Sequence, residues 1–113
     1  MANLETKTNS LIAAMKQSRI YQEYLLAEKE LSTVPLLQRQ VDDYRSEVLK
    51  IQSSGQDTYD SLDQIRGRYS QLFKNPLAMR YLDAENAVCR MVSRTISMIA
   101  EEVDVRLPGQ LCR

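Results

Sequence analysis

The stretch "KNPLAMRYLDAENAVCRMVSRTISMIAEEV" (residues 74–103) decides how the rest of this 113-residue chain is read. Asn75 is a good N-cap residue, and Pro76 suits the first helical position, where its missing N–H is no loss. No further breaker follows until Pro108. The helix is therefore expected to reach about Val103, a rod of roughly 40 Å at 1.5 Å per residue. At 100° per residue, Leu77, Tyr81, Ala84, Val88, Val92, Ile96, Ile99 and Val103 share one stripe. Met91 and Met98 widen it on one edge, and Leu82, Cys89 and Ala100 on the other. A helix packed once against a small bundle needs about 100° of apolar surface; this one offers roughly 200°. A second copy of the chain is the simplest cover for the surplus. That predicts a homodimer or higher oligomer, with Tyr81, Val88, Met91, Val92, Ile96, Met98 and Ile99 as interface candidates. The alternative is that the first and fourth helices enclose it within one chain.

Upstream, the pattern is also helical. Leu4, Leu11, Ile12 and Met15 share a face of a first helix, and the chain can restart near Ser18. Ile20, Tyr21, Tyr24, Ala27 and Leu31 form the stripe of a second. Pro35 disfavours helix at Val34 yet suits the first turn of a third. There Leu37, Val41, Tyr44, Val48 and Ile51 step by alternating fours and threes, a heptad seam. Gly55 is a C-terminal stop and Asp57 a cap. The fourth helix carries Leu62, Ile65, Tyr69 and Leu72 at the same spacing, with Phe73 beside them and Gly67 on its other side. The expected fold is all-α: an antiparallel bundle of about five helices with a long C-terminal one. It forms a single helical domain over residues 1–107, with a short tail over 108–113.

Composition agrees and narrows the function. Hydrophobic content is 43% and charged content 27%, globular values, and Gly and Pro occur only 3 times each, too few for a chain of short strands and turns. Fifteen basic residues balance fifteen acidic ones, so no net field favours direct binding to nucleic acid or to an anionic membrane. No apolar run approaches a membrane span or a signal-peptide core. Two cysteines, Cys89 and Cys112, fit a reducing compartment. A cytoplasmic location is expected. The chain has no His, and no GxSxG, HExxH, paired CxxC or phosphate-binding Gly loop. No catalytic residue, cofactor-binding residue or metal ligand is assigned, and an enzyme is not expected. Iron–sulfur ligation is not expected either: a cluster commonly takes four thiolates, and Cys89 and Cys112 are the only two.

"YLLAE" (24–28) and "YLDAE" (81–85) repeat a pentapeptide at the same depth in two helices, six residues after Ser18 and Asn75 respectively. Glu28 and Glu85 lack a cation three or four positions away. Each either reaches from the stripe's edge into water or makes a tertiary contact to an arginine, the candidates being Arg39, Arg45, Arg66 and Arg94.

"SRIYQEYLLAEKEL" (18–31), a Pro-initiated helix, and then "FKNPLAMRYLDAENAV" (73–88) together resemble the YlbF/YmcA/YheA family of small bacterial regulators. In that family YxxYLxAExxL precedes "DP" and a second helix, and a later NPxxxxYLxAExxL opens a long C-terminal helix. The likeness spans about residues 8–103. Val34 stands where the family usually has Asp, so the helix at Pro35 should be less well capped. The resemblance implies an all-helical, self-associating, non-enzymatic cytoplasmic adaptor with a protein partner in a regulatory complex. The YlbF and YmcA branches join a third protein to act on ribonuclease Y, and so on mRNA maturation, competence, sporulation and biofilm formation. Those branches are longer and carry C-terminal cysteines that help hold iron–sulfur clusters; this chain is closer in length to the YheA branch. The runner-up is a structural or chaperone-like helical module that covers a partner's apolar helix.

Overall fold

Punctuating residues set where each helix begins and ends. The computed structural model describes residues 2–55 and 58–103. Among them are five α-helices and no strand: α1 (Ala2–Gln17), α2 (Arg19–Ser32), α3 (Pro35–Ser54), α4 (Thr58–Arg68) and α5 (Pro76–Val103). The all-α class and the long C-terminal helix are as expected. The cap expected from Asp57 and the tail from Pro108 to Cys112 lie outside the described residues.

Between α1 and α2, Ser18 is both a stop and a start. Its Oγ donates to the Met15 carbonyl and accepts from the Tyr21 N–H at 3.2 Å, capping the third residue of α2. At the head of α5, Asn75 Oδ1 accepts from the N–H groups of Leu77 (2.9 Å) and Ala78 (3.3 Å), satisfying two donors that no helical carbonyl can reach. Val34, with φ −124° and ψ 83°, offers no side-chain cap to α3, which relies on Pro35. Gly55 closes α3 in the left-handed region at φ 74°, where a side chain would be strained.

The chain divides into two compact units, with boundaries inside α2 and α5. Residues 27–81 form one of them. Its core is Ala27, Leu31, Leu37, Val41, Val48, Ile65, Leu72 and Ala78. Three of the five expected seam positions of α3 are fully buried there, and Tyr44 and Ile51 are half-buried. α3 and α4 pack as an antiparallel hairpin: Phe73 stacks edge-on against Tyr44, whereas Arg68, earlier in sequence, reaches the later Glu47. The apolar spacing of the fourth helix ran through Leu72, but the α-helix ends at Arg68. Its last i−4 bond joins Tyr69 N–H to the Ile65 carbonyl at 3.0 Å. The bonds of Leu72, Lys74 and Asn75 then run to residues three back, at 2.9, 3.2 and 3.1 Å, giving the tighter 3-10 turn Leu72–Lys74. Leu72 is buried all the same, delivered by the turn.

The other unit takes residues 2–26 and 82–103 of the described chain. Its fully buried apolar residue is Leu82. α1 has no buried residue, and Thr6, Thr8 and Ser10 each donate to the carbonyl four residues back. Ser18 Oγ lies 3.6 Å from Met91 Sδ, a contact between the α1–α2 joint and α5. Ile20, expected on the core stripe of α2, is exposed instead, while Tyr21 and Tyr24 are half-buried with ring centroids 5.9 Å apart.

Candidate protein-interaction face

Seven polar residues of α5 come out on one side: Arg80, Asp83, Asn86, Arg90, Arg94, Ser97 and Glu101 are all exposed, three or four apart. The wide apolar stripe on the opposite side is only half covered. Of the residues expected at an interface, Tyr81, Val88, Met91, Val92 and Ile96 are half-buried. Met98 at 61% and Ile99 at 49% are exposed, as is Val103 at 65%. On α1, Leu4 at 59%, Leu11 at 38% and Ile12 at 44% stand in solvent although they share a helical face. The apolar surface of this unit thus extends to α1, which the stripe arithmetic on α5 did not single out. The signal was present in the sequence: Leu4, Thr8, Leu11 and Met15 repeat the four–three–four spacing of Val92, Ile96, Ile99 and Val103.

Glu28 is exposed and Glu85 half-buried, and both take part in interactions within the chain. Long-range ion pairs are formed by Glu30 and Glu47. Arg80 Nη1 binds Glu30, joining the end of α2 to the start of α5 within residues 27–81. Arg68 Nη2 lies 2.8 Å from Glu47, and the Tyr69 hydroxyl donates to the same carboxylate. The Tyr69 bond is the main reason the Glu47 carboxyl titrates below its ordinary range, and Arg68 adds to it. That bond likewise holds the Tyr69 hydroxyl above its ordinary range. Tyr44 packs edge-on to both Tyr69 and Phe73, with centroids 5.6 and 5.3 Å away. Glu30 was discoverable by the criterion that flagged Glu28 and Glu85, since Leu26, Ala27, Thr33 and Val34 surround it along the helix. Glu47 was not, because Lys50 supplies a local cation.

For chemistry the described residues offer little. No group of three or more His, Cys, Asp or Glu is placed to hold a metal ion. No helix among them is long and apolar enough to cross a membrane. Cys89 is a half-buried thiol on α5, and Cys112 lies outside the described residues.

Comparison with curated proteins and with solved structures gave no match. Comparison with protein families matched residues 4–104 to the family described as control of competence regulator ComK, YlbF/YmcA. That span runs from the first turn of α1 to the end of α5 and includes both pentapeptides, and the description is that of a regulatory family. The chain belongs to the YlbF/YmcA family.

Proposed function

We propose that this chain is a non-enzymatic regulatory adaptor of the cytoplasm that works by protein–protein contacts. It associates with a second copy of itself and joins a protein partner in a regulatory complex. Through that complex it contributes to control of mRNA processing by ribonuclease Y, and of competence, sporulation or biofilm formation. The observation that supports this most is the apolar surface of residues 2–26 and 82–103, where Leu4, Ile12, Leu26, Met98, Ile99 and Val103 are exposed and Leu82 is buried. Residues 27–81, by contrast, bury eight apolar residues and leave Leu36, Leu49 and Tyr59 exposed. Balanced charge supports protein contacts over nucleic acid or membrane.

Affinity capture of the full-length tagged protein from its own cells tests the proposal. Recovery of ribonuclease Y or of its accessory proteins is the expected result. Recovery of a single secreted or assembly-prone client would replace the adaptor with a chaperone-like module.

A further inference from the structure

The helix α1 is sixteen residues long, near the length at which an isolated helix is marginal in water. It buries no residue fully in the chain it belongs to; Leu4, Thr8 and Leu11 are exposed and Met15 is half-buried. Leu4, Thr8, Leu11 and Met15 lie within about 60° of one another around its axis. Thr8 fits this seam because its hydroxyl is already satisfied by the Leu4 carbonyl at 2.8 Å. The charges beside the seam are placed asymmetrically. Glu5 in the first turn and Lys16 in the last share one flank, about 20° apart. Lys7 stands on the other flank.

We infer that α1 docks antiparallel on α1 of a second copy, across a two-fold axis passing midway between Ser10 and Leu11. This rests on the self-association proposed above and gives it a surface. In an antiparallel helix pair, each flank meets the same flank of the partner helix. The axis then sets Glu5 opposite Lys16 of the second copy, and Lys16 opposite its Glu5, making two ion pairs. Leu11 meets its own counterpart at the centre, and Leu4 packs toward Met15 of the other copy. Lys7 faces Ala14, so no like charges meet. A parallel pairing would set opposite flanks together, with Glu5 beside Lys7 of the second copy and Lys16 beside Ala14. Only the antiparallel pairing therefore makes association depend on Lys16. It is self-complementary and uses both charges of the Glu5–Lys16 flank, as suits an isologous contact. The pair of helices alone buries little, and the exposed Met98, Ile99 and Val103 of the same unit supply further apolar area.

Sedimentation of the full-length protein at low salt, with charge reversals, tests the register. Glu5→Lys alone, or Lys16→Glu alone, creates two like-charge contacts and should weaken self-association about 3- to 10-fold. The double reversal should recover wild-type association to within about 2-fold, and the differences should fade near 1 M salt. Both reversals oppose the helix dipole, and the double reversal does so most, so recovery has to come from pairing between copies. Leu11→Asp should leave a helical monomer at micromolar concentration, as judged by circular dichroism. A self-associating protein that is indifferent to Leu11→Asp, or a double reversal no tighter than the single ones, overturns this inference and leaves self-association standing. A wild-type protein that is monomeric throughout overturns both.

Discussion

Residues 27–81 and the two segments that flank them use helices of similar amphipathic character, yet they treat their apolar side chains differently. In the central segment α3 and α4 fold back on each other through Gly55, and the end of α2 and the start of α5 add further walls. Leu31, Val41 and Ile65 are consequently lost to solvent almost completely, although Leu36 and Leu49 on the outer side of α3 stay exposed. In the flanking unit, α1, the first part of α2 and the long run of α5 have too few neighbours to close a core. Leu82 is buried there, while Leu4, Ile12, Leu26 and Met98 remain exposed. Amphipathicity sets which side of a helix wants cover; the number of neighbours decides whether it gets any.

The sharpest way to break this comparison is to truncate one leucine from each unit. Leu31→Ala should destabilise the chain by about 3 kcal/mol, because it empties a fully enclosed site. Leu26→Ala, at a side chain 56% exposed, should cost less than about 0.5 kcal/mol when the monomer is unfolded by denaturant. Equal costs would mean that the two units are covered alike.

A smaller effect is expected on α5. Ser93 Oγ is buried with no hydrogen-bond partner among the described residues, whereas nearby Thr95 donates to the Met91 carbonyl at 2.8 Å. Ser93→Ala should therefore raise stability by about 1 kcal/mol, read as a shift in urea midpoint. Gly67, exposed on α4, has nothing within 4 Å of where a Cβ would stand. Gly67→Ala should add about 0.5–1 kcal/mol through helix propensity. The same change at Gly55, with φ 74°, should destabilise instead.

The last effect is a pH dependence confined to the central unit. Glu47 titrates below its ordinary value of 4.5 because Tyr69 and Arg68 favour the carboxylate. Its contribution is present above that value and is lost as pH falls through the lowered one. Tyr69, shifted upward, keeps the contact below its ordinary value of 10.0 and loses it as pH rises through the raised one. Melting temperature should thus fall more steeply between about pH 6 and about pH 3 in the wild type than in Tyr69→Phe. Parallel curves would show that the Glu47–Tyr69 bond does not matter.

Much of the fold was legible because its punctuation is chemical. Pro35, Gly55 and the Asn75–Pro76 pair mark helix ends through a missing N–H, a left-handed φ and a side-chain cap, each acting on the local backbone. The alternating spacing of Leu37, Val41, Tyr44, Val48 and Ile51 named the inner face of α3 for the same reason. Features that depend on neighbours were less legible. Leu72 kept helical spacing beyond the point where the chain tightened into a 3-10 turn, because either conformation can deliver it to the core. Ile20 lay on the right stripe of a helix with nothing opposite it. Arg68, Tyr69 and Glu47 meet only because α3 and α4 pack antiparallel, and no periodicity along one helix reveals that. The α5 candidates for the proposed interface came from the width of an apolar stripe, whereas α1, whose seam has the same spacing, joins them because its burial can be set beside theirs.

The central claim is that the apolar surface of residues 2–26 and 82–103 is covered by a second copy of the chain. Light scattering of the full-length protein across about 1 to 100 µM, a range in which typical specific dimers persist, measures this most directly. The account predicts a mass at least twice the 13.0 kDa of one chain. A mass of 13.0 kDa at every concentration would contradict it.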